Sequence, residues 1–351
     1  MIKLIKPLGK LLIRKGYAMQ ARRFGFWSLA GCCIALFATG CSKAAPTKSD
    51  KVRIAYFPNI THAAALHAAA TGGFQKSVGE SVKVEERVFT AGPAEIEALF
   101  AGEVDFGYIG PGPAINGYLK SNGQALEIID VAASGGASLI AAKGQAIKTL
   151  ADLAGKRVAV PQTGGTQDIS LRHALKAIGL SGKDKGGNVD IVQYAPADVL
   201  DLFRRGELDA AWLPEPWVSR IIKDAGATLV TDERTLWPNG KFATAVVIVR
   251  KGFAKANPDI VANLLKAHRA SVDAINADKT SAGTVISKQI AKLSQGKTLS
   301  PDVLAGSFSR TDITYEALDE SILTFADWAK ELGYLKKGRD GIGGLIHHGK
   351  Q

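Results

Sequence analysis

From Val52 onward, short β-branched runs alternate with stretches whose apolar residues recur at helical spacing. Residues 52–57 and 82–89 predict strands, and 62–70 and 94–100 predict helices. The cycle continues with a strand over 106–109, a helix over 114–120 and strands over 126–133 and 138–142. A second cycle follows: a short apolar stretch at 150–153, strand 157–160, helix 168–178, strand 189–193, helix 197–205 and strand 210–213. Residues 243–250 are strongly β-prone, and everything after Pro258 reads as helices covering the outside. Strand and helix in regular alternation define the α/β class. A chain of 351 residues is long for one small core, so two α/β lobes are expected, with the chain returning to the first. No internal repeat interrupts this pattern.

The first 41 residues differ from the rest. Lys3, Lys6, Lys10, Arg14, Lys15, Arg22 and Arg23 stand there with no acid among them, ahead of an uncharged run over 24–38. A basic start followed by a short apolar run and small residues is an export signal. The run is shorter than the roughly 20 residues of a comfortable membrane span. Met19 is the only methionine besides Met1, so residues 1–18 read as a start-site artefact. Ala38-Thr39-Gly40-Cys41 resembles a bacterial lipobox, which makes Cys41 the expected lipidation site and residues 42–50 a polar tether. Much of the +11 net charge sits in this leader, and the near-neutral body has no polyanion footprint, so no nucleic-acid partner is expected. Cys32, Cys33 and Cys41 are the only cysteines, which leaves the body without a thiol for a disulfide, a zinc site or nucleophilic catalysis.

Open α/β sheets bind ligands beyond the carboxyl ends of their strands, where helix N-termini present unpaired N–H groups. The strand-to-helix junctions are therefore the candidate sites. Phe57-Pro58-Asn59-Ile60-Thr61-His62 offers capping side chains, with Asn59, Thr61 and His62 as candidate contacts beside Phe57. Thr90-Ala91-Gly92-Pro93-Ala94-Glu95 has the chemistry of a helix start, which capping alone explains. Gly110-Pro111-Gly112-Pro113 allows close backbone approach to a ligand. Ser134 and Gly135 lie between two apolar runs, either as a hairpin-like loop or as part of the binding surface. Thr163-Gly164-Gly165-Thr166-Gln167-Asp168 is the strongest candidate, because it joins a strand to a helix with hydroxyls and free N–H donors suited to an anion. Glu215 and Trp217 follow the strand at 210–213, where tryptophan can wall a pocket.

Other chemistries lack their residues. The phosphate-cradling Gly-x-x-x-x-Gly-Lys-Ser/Thr is absent, as is a Gly-x-Gly-x-x-Gly at a strand-to-helix turn. The six histidines, His62, His67, His173, His268, His347 and His348, show no metal-ligand spacing, and no Gly-x-Ser-x-Gly elbow occurs. No metal, cofactor or catalytic residue is expected, and the chain reads as a non-enzyme.

The ordered series Arg53-Ile-Ala-Tyr-Phe-Pro, Gly92-Pro-Ala-Glu-Ile-Glu-Ala-Leu, Val104-Asp-Phe-Gly-Tyr-Ile-Gly, Leu150-Ala-Asp-Leu-Ala-Gly-Lys-Arg-Val-Ala-Val-Pro and Glu207-Leu-Asp-Ala-Ala-Trp-Leu-Pro-Glu-Pro-Trp resembles the nitrate/sulfonate/taurine family of ABC-transporter substrate-binding proteins. The resemblance implies a type II periplasmic-binding-protein fold, two lobes joined by two hinge strands with a ligand cleft between them. It puts the hinges near residues 141–144 and 242–246 and the cleft-lining segments at 57–62, 110–113, 163–168 and 214–217. Lobe 1 is then 51–141 plus 243–351, and lobe 2 is 142–242.

The function implied is capture of a small organic anion, an aliphatic sulfonate above all, by a monomer anchored to a bacterial membrane, periplasmic or at the cell surface. Delivery is to an ABC permease and, through it, its ATPase. Arg172 is the only base near the junctions, which fits an oxyanion held by backbone N–H groups and equally a neutral heterocycle. Nitrate or a thiamine-pyrimidine-like heterocycle as ligand, and a sensory ligand-binding module, are the alternatives. An enzyme of the thiamine-pyrimidine type is disfavoured because its cysteine-rich motif is missing.

Overall fold

A computed structural model describes residues 49–347, so Cys41, the export signal and most of the tether lie outside the described residues. The chain runs β1 (Lys51–Tyr56), α1 (Ala63–Ala70), α2 (Gly73–Val78), β2 (Lys83–Val88), α3 (Gly92–Phe100), β3 (Phe106–Ile109), α4 (Pro111–Lys120), β4 (Leu126–Gly135), β5 (Ala137–Ala141), β6 (Arg157–Val160), α5 (Thr166–Ala177), β7 (Asp190–Gln193), α6 (Pro196–Arg204), β8 (Ala210–Pro214), α7 (Trp217–Ala225) and β9 (Thr228–Asp232). It continues with β10 (Ala243–Arg250), α8 (Lys251–Ala256), α9 (Pro258–Ala277), α10 (Lys279–Ser294), α11 (Pro301–Arg310), β11 (Thr311–Ile313) and α12 (Asp319–Glu331).

These strands form two sheets, in the orders β11-β4-β10-β3-β1-β2 and β7-β6-β8-β5-β9. β1 pairs in parallel with both β2 and β3, whereas β10 runs antiparallel between β3 and β4. The central strands of each sheet are buried on both faces. One face of the first sheet packs Tyr56, Phe106 and Tyr108 against Leu66 of α1, Phe74 of α2 and Leu264 of α9. The other packs Ile109, Val131 and Val246 against Ile96 of α3, Ile115 of α4 and Phe325 of α12. In the second sheet, Val158 and Trp212 meet Leu171 and Leu175 of α5, while Ala159 and Leu213 meet Phe203 of α6 and Ile221 of α7. Such continuous apolar strands are what a sheet covered on both sides requires.

The sheets are joined at two crossovers. The first is Gly135-Gly136, with φ of 70° and 76°, where the strand leaves one sheet and enters the other. A side chain there is excluded by conformation and by space, since a Cβ on Gly135 would lie 2.6 Å from the Arg310 carbonyl. This corrects the expected hinge at 141–144 and the lobe boundary at 141. Residues 137–141 pair with β8 and β9 and belong to the second sheet. It also corrects the hairpin reading of Ser134 and Gly135. The second crossover lies between Asp232 and β10, through 3-10 turns at Glu233–Leu236 and Pro238–Gly240. Glu233 anchors it, fully buried and accepting from Ser170 Oγ at 2.6 Å, Trp212 Nε1 at 2.8 Å and Trp237 Nε1 at 3.5 Å. Burial pushes its carboxyl up to about 7, against the opposing pull of those three donors.

The C-terminal region is not purely helical as expected. β11 adds an antiparallel edge to β4, which places α11 and α12 with the first lobe while they also touch the second.

Candidate functional site

Segments from both lobes meet around one cleft. The first lobe supplies the turn after β1 (Phe57, Asn59, Thr61, His62), the starts of α3 (Thr90, Ala91, Gly92) and α4 (Gly110, Pro113), and Thr244 of β10. The second supplies Pro161 and Gln162 after β6, the start of α5 (Gly165, Thr166, Gln167) and Pro214 at the end of β8. The space left between them is a cavity of about 30 Å³. One water needs roughly 10–15 Å³ on this scale, so the cavity fits a compact group of a few heavy atoms.

Strand-to-helix connections put three helix N-termini on this cavity. In α5 the first helical bond runs from Ile169 N to Gly165 O at 3.1 Å, so the N–H groups of Thr166, Gln167 and Asp168 precede it. No side chain caps this helix. Thr166 Oγ1 is buried beside it and has no hydrogen-bond partner. A buried hydroxyl left unpaired costs on the order of 1–3 kcal/mol, which makes a ligand atom a favourable occupant. In α4, Pro111 and Pro113 carry no N–H, which leaves that of Gly112 as the donor of the first turn.

His62 is buried and stacked on Phe57, with ring centroids 4.4 Å apart. Phe57 N–H donates to its Nδ1 at 3.3 Å, so the neutral ring keeps its proton on Nε2. Burial pulls its pKa down to about 3, which holds the ring neutral at physiological pH. Among the described residues, those lining the cavity include no Asp, Glu, Lys or Arg. The electrostatic field there comes from aligned peptide dipoles and favours a negative group.

Of the residues expected from sequence, Phe57, Asn59, Thr61, His62, Gly110, Gly165, Thr166 and Gln167 line the cavity. The others stand around it. Pro111 is the first residue of α4, and Gly112 is packed so that a Cβ would meet Ile169 Cδ1 of α5 at 2.9 Å. Ser134 Oγ accepts from Phe242 N at 3.2 Å, and the Gly135 carbonyl accepts from Thr244 Oγ1, so both tie the two crossovers together. Thr163 is exposed, with its N–H on Gln193 Oε1, and Gly164 donates its N–H to Asp168.

Asp168 and Glu215 are fully buried and turned away from the cavity into contacts between the lobes. Asp168 accepts from Arg172 Nε at 2.7 Å and from Tyr334 Oη at 2.6 Å. Glu215 accepts from Arg310, Ser307 and Ser219. Trp217 spans the lobes, with Nε1 3.2 Å from Asn59 Oδ1. Arg172, the base that the sequence places near the junctions, is held by Asp168 and Asp184.

Sequence reasoning explained Thr90, Ala91 and Gly92 by capping, with ligand contact as the alternative, and did not find Pro161, Gln162 or Thr244. The Gly92-Pro93 helix start was the available signal for the first group. Among the described residues no helix is long and apolar enough to cross a membrane, and no group of three or more His, Cys, Asp or Glu could hold a metal ion.

Two doubly covered α/β lobes, two crossovers and a small cleft between them define a periplasmic-binding-protein fold. The solved alkanesulfonate-binding protein of Xanthomonas axonopodis pv. citri superposes with a TM-score of 0.69 at 20% identity, covering 86% of this chain and 99% of that one. The periplasmic nitrate-binding protein of Synechocystis PCC 6803 gives 0.68 at 16% identity, covering 84% of each. The chain belongs to the NMT1-like family, whose model matches residues 45–291. A Brucella abortus protein named as a binding protein is 30% identical over 215 residues, 61% of this chain and 63% of its own length. The taurine-binding periplasmic protein of Escherichia coli K12 is 32% identical over 194 residues, 55% of this chain and 57% of its own. The chain thus spans less than two thirds of these relatives.

Proposed function

We propose that this protein is the extracytoplasmic solute-binding component of an ABC importer and that it closes its two lobes over a small organic anion, an aliphatic sulfonate. The observation that carries this reading is the start of α5, where free N–H groups and the unpartnered, buried Thr166 hydroxyl face a cavity without a charged lining side chain. A sulfonate presents three oxygens to such donors and keeps its charge at any physiological pH. The names of the taurine-binding and alkanesulfonate-binding relatives point the same way. In this account a closed, liganded form is what the permease recognises, because only the liganded state draws contacts from both lobes at once.

The export signal and Cys41 complete the proposal, with the protein held at a membrane by an acyl group and the short segment after Cys41 as its tether. Cys41→Ser should release it to the soluble fraction, and continued membrane association would point to an uncleaved leader.

Calorimetric titration with ethanesulfonate, taurine, nitrate and a pyrimidine precursor tests the ligand. Micromolar or tighter binding of a sulfonate supports the reading. The small cavity also favours a second reading, nitrate, and a response to nitrate alone would select it. Silence for every anion with a response to the pyrimidine would replace both.

A further inference from the structure

Asp168 poses an electrostatic problem for an anion site. It is the third residue of α5, directly after two cavity-lining residues, and its carboxylate is fully buried. Left alone, that charge would oppose an anion at the helix N-terminus. Arg172 Nε answers one oxygen at 2.7 Å, and Arg172 is itself shared with Asp184 at 2.9 Å. The other oxygen, Oδ2, takes the Gly164 N–H at 2.8 Å and the Tyr334 hydroxyl at 2.6 Å. Gly164 and Asp168 bracket the start of α5, so this oxygen sets the shape of the loop that carries the site.

Tyr334 follows α12, which packs on α4 in the first lobe, whereas Asp168 belongs to the second. The bond therefore exists only while the lobes are together. We propose that Tyr334 is a positioning residue for the anion site, acting through Asp168 to fix the Gly164–Asp168 loop and offset the carboxylate when the lobes close. Closure and the readiness of the α5 N-terminus are then coupled through this hydrogen bond. This inference rests on the oxyanion reading above.

Stopped-flow and equilibrium binding of ethanesulfonate to wild type, Tyr334→Phe and Lys176→Ala test it. Lys176 Nζ pairs with Glu331 at 2.8 Å between α5 and α12, and both side chains are about half exposed, so it samples ordinary cohesion between the same helices. Tyr334→Phe should raise Kd about tenfold, chiefly through faster dissociation, the scale of one hydrogen bond to a charged acceptor. Lys176→Ala should stay within about twofold, because exposed ion pairs contribute little. The melting temperature of ligand-free Tyr334→Phe should match wild type, which separates positioning from folding. Wild-type dissociation from Tyr334→Phe, or an equal loss in Lys176→Ala, would overturn the role of Tyr334 and leave the oxyanion reading in place. Wild type binding no anion at all would overturn both.

Discussion

Arg310 reaches from the end of α11 in the first lobe to Glu215 in the second, with its Nε 2.7 Å from Glu215 Oε1. Glu215 is fully buried, and the same carboxylate accepts from Ser219 N at 3.1 Å and Ser307 Oγ at 3.1 Å. This contact flanks the cleft at Pro214, as the Tyr334–Asp168 contact flanks it at Gln167. The lobes are therefore fastened on both sides of the cavity by carboxylates of the second lobe and donors from the C-terminal region of the first. Removing Arg310 would leave a buried carboxylate without its counter-charge. Arg310→Ala should lower the unfolding free energy of the ligand-saturated, closed protein by about 3 kcal/mol, read as a reduced urea midpoint with unchanged slope. An effect below about 1 kcal/mol would mean that the serine donors alone satisfy Glu215.

Gly110 gives a sharper test of closure. Its φ of −71° suits any residue, so alanine introduces no backbone strain. A Cβ there, however, would lie 2.0 Å from Thr166 Oγ1 on the opposite lobe. Gly110→Ala should therefore fold normally and bind ligand at least about tenfold more weakly, because the hydroxyl must turn away or the lobes must part. Unchanged affinity in calorimetry would remove Thr166 from the site.

Glu95 lies beneath the start of α3, fully buried, with neither carboxylate oxygen hydrogen-bonded. Burial raises its pKa well above the ordinary 4.5. The folded state then holds a proton that the unfolded state releases, so stability is fully present below about pH 4.5 and is lost as pH rises toward the folded value. Glu95→Gln cannot ionise and should abolish this slope, gaining relative to wild type by up to about 1.4 kcal/mol per pH unit in that window. Parallel stability profiles for the two proteins between pH 5 and 8 would show that Glu95 is ionised in the fold.

His62 provides a prediction of opposite sign. Its pKa, lowered to about 3 by burial, keeps the ring neutral in the folded protein down through pH 5. Stability from this group is present above the unfolded value near 6.5 and declines as pH falls toward 3. Anion affinity should accordingly stay flat from pH 8 to 5.5, with His62 adding no positive charge. A tenfold tightening over that range would identify a protonated His62 as a ligand contact.

The alternation of β-branched runs and amphipathic stretches carried the two-lobed α/β architecture, because each period reflects which side of a buried sheet a residue faces. The strand-to-helix junctions were readable for the same reason, and the Gly165–Gln167 turn stood out by its glycine, its hydroxyl and its free N–H groups. Orientation was not readable. Asp168, Glu215 and Trp217 sit at the junctions, yet each turns toward a partner distant in the chain, at separations of 166, 95 and 158 residues: Tyr334, Arg310 and Asn59. No local pattern encodes those pairings. The first crossover was missed because 126–133 and 138–142 read as separate strands, while the turn between them depends on positive φ at two glycines that resemble an ordinary loop.

A crystal structure of the protein grown with ethanesulfonate would locate the anion. The sulfonate oxygens should lie within hydrogen-bond distance of the Thr166 and Gln167 N–H groups and Thr166 Oγ1, with Tyr334 still on Asp168. A sulfonate bound by lysine or arginine side chains elsewhere, with the start of α5 vacant, would contradict it.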